Sequence, residues 1–378
     1  MKMIRLAHPD LEFSEVKNQL KRVIDSGWLT KGPQTEELEQ GLCRYLGVKY
    51  AVAVSSGTAA LHLSLLSLGI GPGDEVIVPD FTFAATANAV ELCGAKAVLA
   101  DIELDNFNID PAEIRKRINS RTRAVIVVHQ FGTPARMDEI LKITKQHNLY
   151  LVEDAACALG ARYKGKICGA IGDLGCFSFH PRKIITSGEG GMITTNSLRL
   201  AKRLRLFREH GMIQNGASRS FIALGFNYRI SEVASVLALA QLKKIERIIS
   251  QRSRLNNLFR RIISRLKVLA PVPDRIDKGS RKAHQAFVVK INSRVNIFAL
   301  ISFLRDKGIE ATIANTALHI QPYYRKKYGF KTGQLKNSLF ASRNSLALAF
   351  HCRMKEKDFI EIASALEEYF VTRKENKR

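Results

Sequence analysis

Lys183 closes the run Cys176-Phe177-Ser178-Phe179-His180-Pro181-Arg182-Lys183, which leads into Ser187-Gly188-Glu189-Gly190-Gly191. An amine set between a buried aromatic strand and a glycine-rich segment can lose its proton and attack a carbonyl carbon. A solvated loop lysine is the ordinary alternative. If the strand continues to His180, Ser178 and His180 share one face, opposite Phe177 and Phe179. Glu153-Asp154-Ala155-Ala156 follows the apolar residues 149–152. An acid at the mouth of a buried strand is costly unless it meets a cation or hydrogen-bond donors. Asp154 could therefore face a protonated ring nitrogen, or either acid could serve as a cap or ion pair. Ser55-Ser56-Gly57-Thr58-Ala59-Ala60 opens a helical pattern. Its unpaired backbone N–H groups and hydroxyls suit a phosphate dianion, though they also suit an ordinary N-cap. Pro79-Asp80-Phe81-Thr82-Phe83 places an aromatic at a strand exit. That ring could stack on a flat ligand or fill the core. A phosphate cup, a ring stack, an acid for a pyridinium and a Schiff-base lysine together make the parts of a pyridoxal-phosphate enzyme.

Such parts need strand ends to hold them, and the chain supplies these. Short apolar runs at 50–54, 75–79, 96–100, 124–129, 150–153, 176–179 and 191–195 read as strands. Helical patterns at 58–68, 84–92, 111–118 and between 129 and 150 alternate with them. That alternation predicts an α/β fold with a mainly parallel sheet covered on both faces, whose ligands bind at the carboxyl ends of the strands. Helical patterning dominates 198–267 and is strongest at 234–249. Beyond 268, strands at 285–291 and 309–313 mix with helices at 296–306 and 357–369, which predicts a smaller α+β domain. The boundary is expected either near Pro271-Val272-Pro273 or in the long helix before it. We divide the chain at 1–250 and 251–378, with the N-terminal segment free to pack on the smaller domain.

Composition narrows the class. The 378 residues include 59 Lys and Arg against 35 Asp and Glu, a formal charge of +24. Residues 1–198 hold 22 basic and 22 acidic side chains, whereas 199–267 hold 16 and 3. A polyanion partner is thus a reading for the second half alone. No nucleic-acid-binding signature accompanies it. Arg199, Lys202, Arg203, Arg205 and Arg208 fall on one predicted helix, as a solvated face with dimer contacts would. The six cysteines are scattered without a CxxC pair, which argues against a disulfide framework or structural zinc and suits a reducing cytoplasm. The first eight residues lack a secretory pattern, and no run approaches the ~18 apolar residues of a membrane span.

Further motifs sharpen the reading: Gly27-Trp28-Leu29, SSGTAAL from Ser55, GPGDEVIVP from Gly71, TFAATANAV from Thr82, HQFGTPA from His129, VEDAACALGA from Val152, SFHPRK from Ser178, GEGGM from Gly188 and GFNYRISE from Gly225. Through these the chain resembles the DegT/DnrJ-type nucleotide-sugar aminotransferases, which are fold-type I pyridoxal-phosphate enzymes. The resemblance covers nearly the whole chain. It implies a mainly parallel seven-stranded sheet in a large cofactor-binding domain, followed by a small C-terminal α+β domain.

Carried over by position, the resemblance makes Lys183 the Schiff-base lysine and Asp154 the partner of the pyridine nitrogen. Phe83 takes the ring-stacking position, while Gly57, Thr58 and Ser178 take phosphate contacts. Asn227 matches a residue that reaches the phosphate of the neighbouring subunit, implying a homodimer with shared sites. Cys157 stands at a ring-facing position that is often Gln or His in relatives. Arg229, His319 and Tyr323 are candidate substrate contacts, and each could equally be structural. The implied reaction is ping-pong transfer of an amino group from L-glutamate to a keto group of a nucleotide-linked deoxyhexose, supplying amino sugars for surface polysaccharide in the cytoplasm. Some relatives are sugar dehydratases with histidine in place of the lysine; here position 183 is Lys, and His180 lies three residues early. A nucleic-acid-binding regulator is the reading from another class. Gly308-Ile309-Glu310-Ala311-Thr312-Ile313 and Ser345-Leu346-Ala347-Leu348-Ala349-Phe350 depart from the family pattern on the substrate side, so the sugar stays open.

Overall fold

The computed structural model describes residues 3–273, 276–291 and 295–375. Seven strands form its main sheet: β1 (Tyr50–Val54), β2 (Glu75–Pro79), β3 (Lys96–Ala100), β4 (Thr122–Val128), β5 (Tyr150–Asp154), β6 (Leu174–Ser178) and β7 (Gly191–Thr195). Their spatial order is β1-β7-β6-β5-β4-β2-β3. β7 runs antiparallel to β1 and β6, and the remaining neighbours are parallel. The mainly parallel α/β sheet expected from the alternation is therefore present. β7 reverses because no helix separates it from β6, and a parallel return needs a crossover.

Helices cover both faces, as continuous apolar strands require. The helix Gly57–Leu68 is buried almost all round, between the sheet and the helices Ala85–Leu92 and Leu198–Arg208. The outer edge of β1 is closed by side chains. Glu39 Oε1 accepts from the Ala53 N–H at 2.8 Å, and Arg208 Nη1 donates to the Ala53 carbonyl at 3.0 Å. Those bonds deny the open ladder to another chain.

A second sheet, β8 (Leu269–Pro271), β9 (Phe287–Ile291), β10 (Ala311–Ile313) and β11 (Ser345–Leu348), is antiparallel in the order β8-β9-β11-β10. Its core includes Phe259, Phe287 and Phe359, with ring centroids 4.1 and 4.5 Å apart around Phe259. The helix Ile245–Ile263 joins the two cores. Ile245, Ile248 and Ile249 pack with the large-sheet residues, and Leu255, Phe259 and Ile263 with the small-sheet ones. Ile4 packs in the smaller core and pairs with Ile309. Leu318, Tyr324 and Leu335 instead return to the large core beside Val76 and Val78.

Three local differences from the sequence pattern have physical causes. Strands Met212–Asn215 and Ser218–Phe221 form an exposed hairpin within the segment expected to be helical. Its Gly216-Ala217 turn, with Gly216 at φ +60°, is a hairpin signal overridden by the surrounding helical pattern. The pattern at 234–249 is divided between the helices Glu232–Leu242 and Ile245–Ile263. β6 stops at Ser178, because Pro181 lacks the N–H that a ladder needs and the chain turns with Lys183 N–H donating to the His180 carbonyl at 2.9 Å.

Candidate active site

The carboxyl ends of β1, β2, β5 and β6 converge, and the chemistry-bearing side chains follow them directly. Beyond β1, Ser56 caps the helix Gly57–Leu68: its Oγ accepts from Ala59 N–H and its carbonyl from Ala60 N–H, each at 3.0 Å. Among the described residues the N–H groups of Gly57 and Thr58 carry no hydrogen bond. Ser178, at the end of β6, lies against this helix start. A Cβ placed on Gly57 would stand 2.8 Å from Ser178 Cβ and 3.2 Å from its Oγ. Only glycine leaves that hollow open, so open N–H groups, the Ser178 hydroxyl and the helix dipole can meet one anion there. Gly191 serves the same approach from the other side, since a Cβ there would lie 2.4 Å from the Ser56 carbonyl oxygen.

Glu153 and Asp154 point to opposite faces of β5, as period-2 geometry dictates. Glu153 is fully buried and acts within the fold. Its carboxylate accepts from the N–H groups of Gly169, Ile171 and Gly172 at 2.8, 2.6 and 2.7 Å, and lies 2.9 Å from His129 Nε2. The Ala135 N–H donates to His129 Nδ1 at 3.1 Å. That bond fixes a neutral ring with Nε2–H directed at Glu153.

Asp154, 6 % exposed, turns toward the strand-end hollow. Its Oδ2 accepts from Thr86 Oγ1 at 2.8 Å and its Oδ1 from Ala156 N–H at 3.2 Å. Thr82 Oγ1 stands 3.0 Å from Thr86 Oγ1 and extends the hydroxyl pair. Burial pushes the Asp154 carboxyl above its ordinary range, while the Thr86 hydroxyl and then the charge of Lys183 pull it back. Lys183, half-buried, donates from Nζ to Cys157 Sγ at 3.3 Å. The site therefore holds an amine, a carboxylate and a thiol at its floor. Phe83 lies one helical turn before Thr86 and is 74 % exposed, leaving a ring face available for stacking. His180 is half-buried, its ring pKa lowered by that burial, and its Nδ1 accepts from Arg182 N–H at 3.2 Å.

The chain thus brings Gly57, Ser178, Asp154, Cys157 and Lys183 together, with Thr58 and Phe83 exposed. The remaining candidates stand elsewhere. Asn227 is exposed, and its side chain makes no hydrogen bond among the described residues. Arg229 is half-buried and likewise without a partner among them. Tyr323 is 54 % exposed, with its hydroxyl accepting from Lys327 Nζ at 3.5 Å. His319, expected to meet substrate, is instead fully buried against Asp80, because a carboxylate at the end of β2 claims its ring. Thr82, Thr86 and the fold-internal role of Glu153 were not singled out from the sequence. The i, i+4 spacing of the two threonines is the one signal that could have marked them.

Residues 11–367 match the model of the DegT/DnrJ/EryC1/StrS aminotransferase family. The chain is 37 % identical over 371 residues to GDP-perosamine synthase of Caulobacter vibrioides, covering 97 % of this chain and 98 % of that protein. Among solved structures, it is similar to Helicobacter pylori PseC, an aminotransferase involved in the biosynthesis of pseudoaminic acid. That match has a TM-score of 0.92 and 28 % identity, over 98 % of this chain and 100 % of that one. S. venezuelae DesV is similar with a TM-score of 0.90 and 31 % identity, over 98 % and 99 % of the two chains.

Proposed function

Because the chain belongs to the DegT/DnrJ/EryC1/StrS aminotransferase family, we propose that it transfers an amino group from L-glutamate to a keto group of a nucleotide-linked deoxyhexose, with pyridoxal phosphate as its cofactor. One observation carries this reading: the Lys183 amine lies close enough to the buried Asp154 carboxylate to act on its charge, at strand ends that also carry the open helix start where Gly57 meets Ser178. The donor set fits the cofactor. Gly57, Thr58 and Ser178 would hold its phosphate, Phe83 would stack on its ring, and Asp154 would pair with its ring nitrogen. Lys183 would form the covalent link. When bound, the cofactor supplies an electron sink for the substrate carbanion.

The protein's own groups do the rest. Asp154 would pair with the protonated ring nitrogen, and the Thr86 hydroxyl favours its charged form. With the cofactor bound, the Lys183 amine would take the proton from Cα of the amino donor and give it up again, as base and then acid. The Cys157 thiol, 3.3 Å from that amine, orients it between the two. Asn227 would reach the phosphate of a neighbouring subunit, which makes the working unit a homodimer. Synthesis of amino sugars for surface polysaccharide in the cytoplasm is the setting that the family implies. No helix among the described residues is long and apolar enough to cross a membrane.

Product analysis with L-glutamate and a panel of nucleotide-linked 3-keto and 4-keto sugars tests the proposal. It expects 2-oxoglutarate and an aminated sugar in equal amounts. Deoxygenated sugar without 2-oxoglutarate would instead identify a dehydratase.

A further inference from the structure

Asp80 and His319 are 239 positions apart in the chain, and both are fully buried. The ring Nδ1 of His319 meets Asp80 Oδ2 at 2.6 Å, and its main-chain N–H donates to Oδ1 at 2.6 Å. The preceding Leu318 N–H donates to the Asp80 carbonyl at 2.9 Å, and Phe81 pairs with Ala317. One carboxylate is therefore gripped by both the side chain and the backbone of a single histidine. The opposite ring nitrogen, Nε2, is buried without a partner among the described residues, and the ring packs edge-on against Phe330 with centroids 6.5 Å apart. An orphaned buried nitrogen costs stability. An apolar residue of similar size would spare that cost but would leave the buried Asp80 carboxylate without its ring partner. What the imidazole adds is direction at Asp80.

Asp80 lies at the head of the segment that serves the proposed site. Two residues on, Thr82 meets Thr86, and Thr86 donates to Asp154 Oδ2 at 2.8 Å. Phe83 lies between those threonines. Gln130 holds the same segment from the β4 side, donating to the Phe81 carbonyl at 2.5 Å. The clamp thus joins the C-terminal segment around 315–319 to the residues that face the ring and its nitrogen partner.

We propose that His319 is a positioning residue: by clamping Asp80 it fixes the 80–86 segment, and with it Phe83 and the Thr82–Thr86 pair that orients Asp154. This rests on the reading that Phe83 and Asp154 face pyridoxal phosphate. Misplacement of such groups by a fraction of an ångström to 1 Å costs roughly 10- to 100-fold.

The test uses the full chain, titrated with pyridoxal phosphate and followed by its lysine-dependent visible band. His319→Ala is expected to weaken cofactor binding about tenfold and to move the pH midpoint of that band. His319→Asn, whose amide N–H can stand where Nδ1–H stood, is expected to restore both to within about threefold of the original. Coupled action predicts that His319→Ala with Thr86→Val costs less than the product of the single losses. A folded His319→Ala protein with unchanged affinity and unchanged midpoint overturns the proposal. Should that variant not fold, Asp80→Asn keeps the shape and removes the charge, and the same two readouts decide. If neither folds, the pair is a folding strut alone and the proposal falls. A wild-type protein that gives no lysine-dependent band overturns the cofactor reading instead, whatever His319 does.

Discussion

Thr86 Oγ1 donates to Asp154 Oδ2 at 2.8 Å, from a helix that begins six residues after β2 ends. Burial pushes the Asp154 carboxyl up, and this hydroxyl pulls it down. A hydrogen bond to a charged group is worth about 1.5–3 kcal/mol, and one pKa unit about 1.4 kcal/mol. Thr86→Val keeps the shape and removes the donor. The acid limb of the glutamate half-reaction should then move up by roughly one pH unit. A pH–rate profile checks it, and an unmoved limb would remove Thr86 from control of the carboxylate charge.

Asp154 also sets the stability of the cofactor-free protein. Its folded pKa is raised above the ordinary 3.8, so the native state holds the proton more tightly than the unfolded chain. Stability from this group is full below the unfolded value and is lost as pH rises through the folded one. Asp154→Asn removes that loss. The cofactor-free variant should melt above wild type at pH 7, with the difference closing as the pH falls toward 4, while catalysis is abolished. Parallel melting curves across that range would contradict the assignment.

Glu153 is the structural counterpart of its neighbour. Glu153→Ala leaves three N–H groups, that of Gly169 buried and those of Ile171 and Gly172 partly so, and the buried His129 ring without an acceptor. The expected cost is roughly 3–5 kcal/mol, read from denaturant midpoints. Glu153→Gln keeps one carbonyl acceptor and should lose less. Equal losses for the two variants would mean that the carboxylate bonds contribute little.

Asn227 separates a shared site from a self-contained one. Asn227→Ala and Lys183→Ala are each expected to be inactive or nearly so. Mixed and reassembled, they should recover up to about a quarter of wild-type activity, because half the dimers are hybrid and half the sites in those are intact. No recovery in verified hybrids would mean that Asn227 acts within its own chain, or not at all.

The strands and the site's main members were legible because each lies at the end of a short apolar run bounded by small or turn residues. Lys183 follows such a run, and so does Asp154. The division of labour between Glu153 and Asp154 was not, since alternation shows that neighbours face apart but not which one faces the hollow. The Asp80–His319 clamp depends on contact across most of the chain, which local pattern does not encode. The hairpin at 212–221 was hidden by basic and apolar residues whose spacing also suits a helix. β7 reversed direction for want of a crossover helix. Charge located only the basic half; the neutral half carries Gly57, Phe83, Asp154 and Lys183.

Lys183 is proposed as the residue that bonds the cofactor. Incubating the protein with pyridoxal phosphate, reducing it with borohydride and mapping the peptides by mass spectrometry tests this directly. One cofactor-derived mass increment is expected, on Lys183, and prior exposure to excess L-glutamate should diminish it. An increment on another lysine, or none on the folded protein, would contradict it.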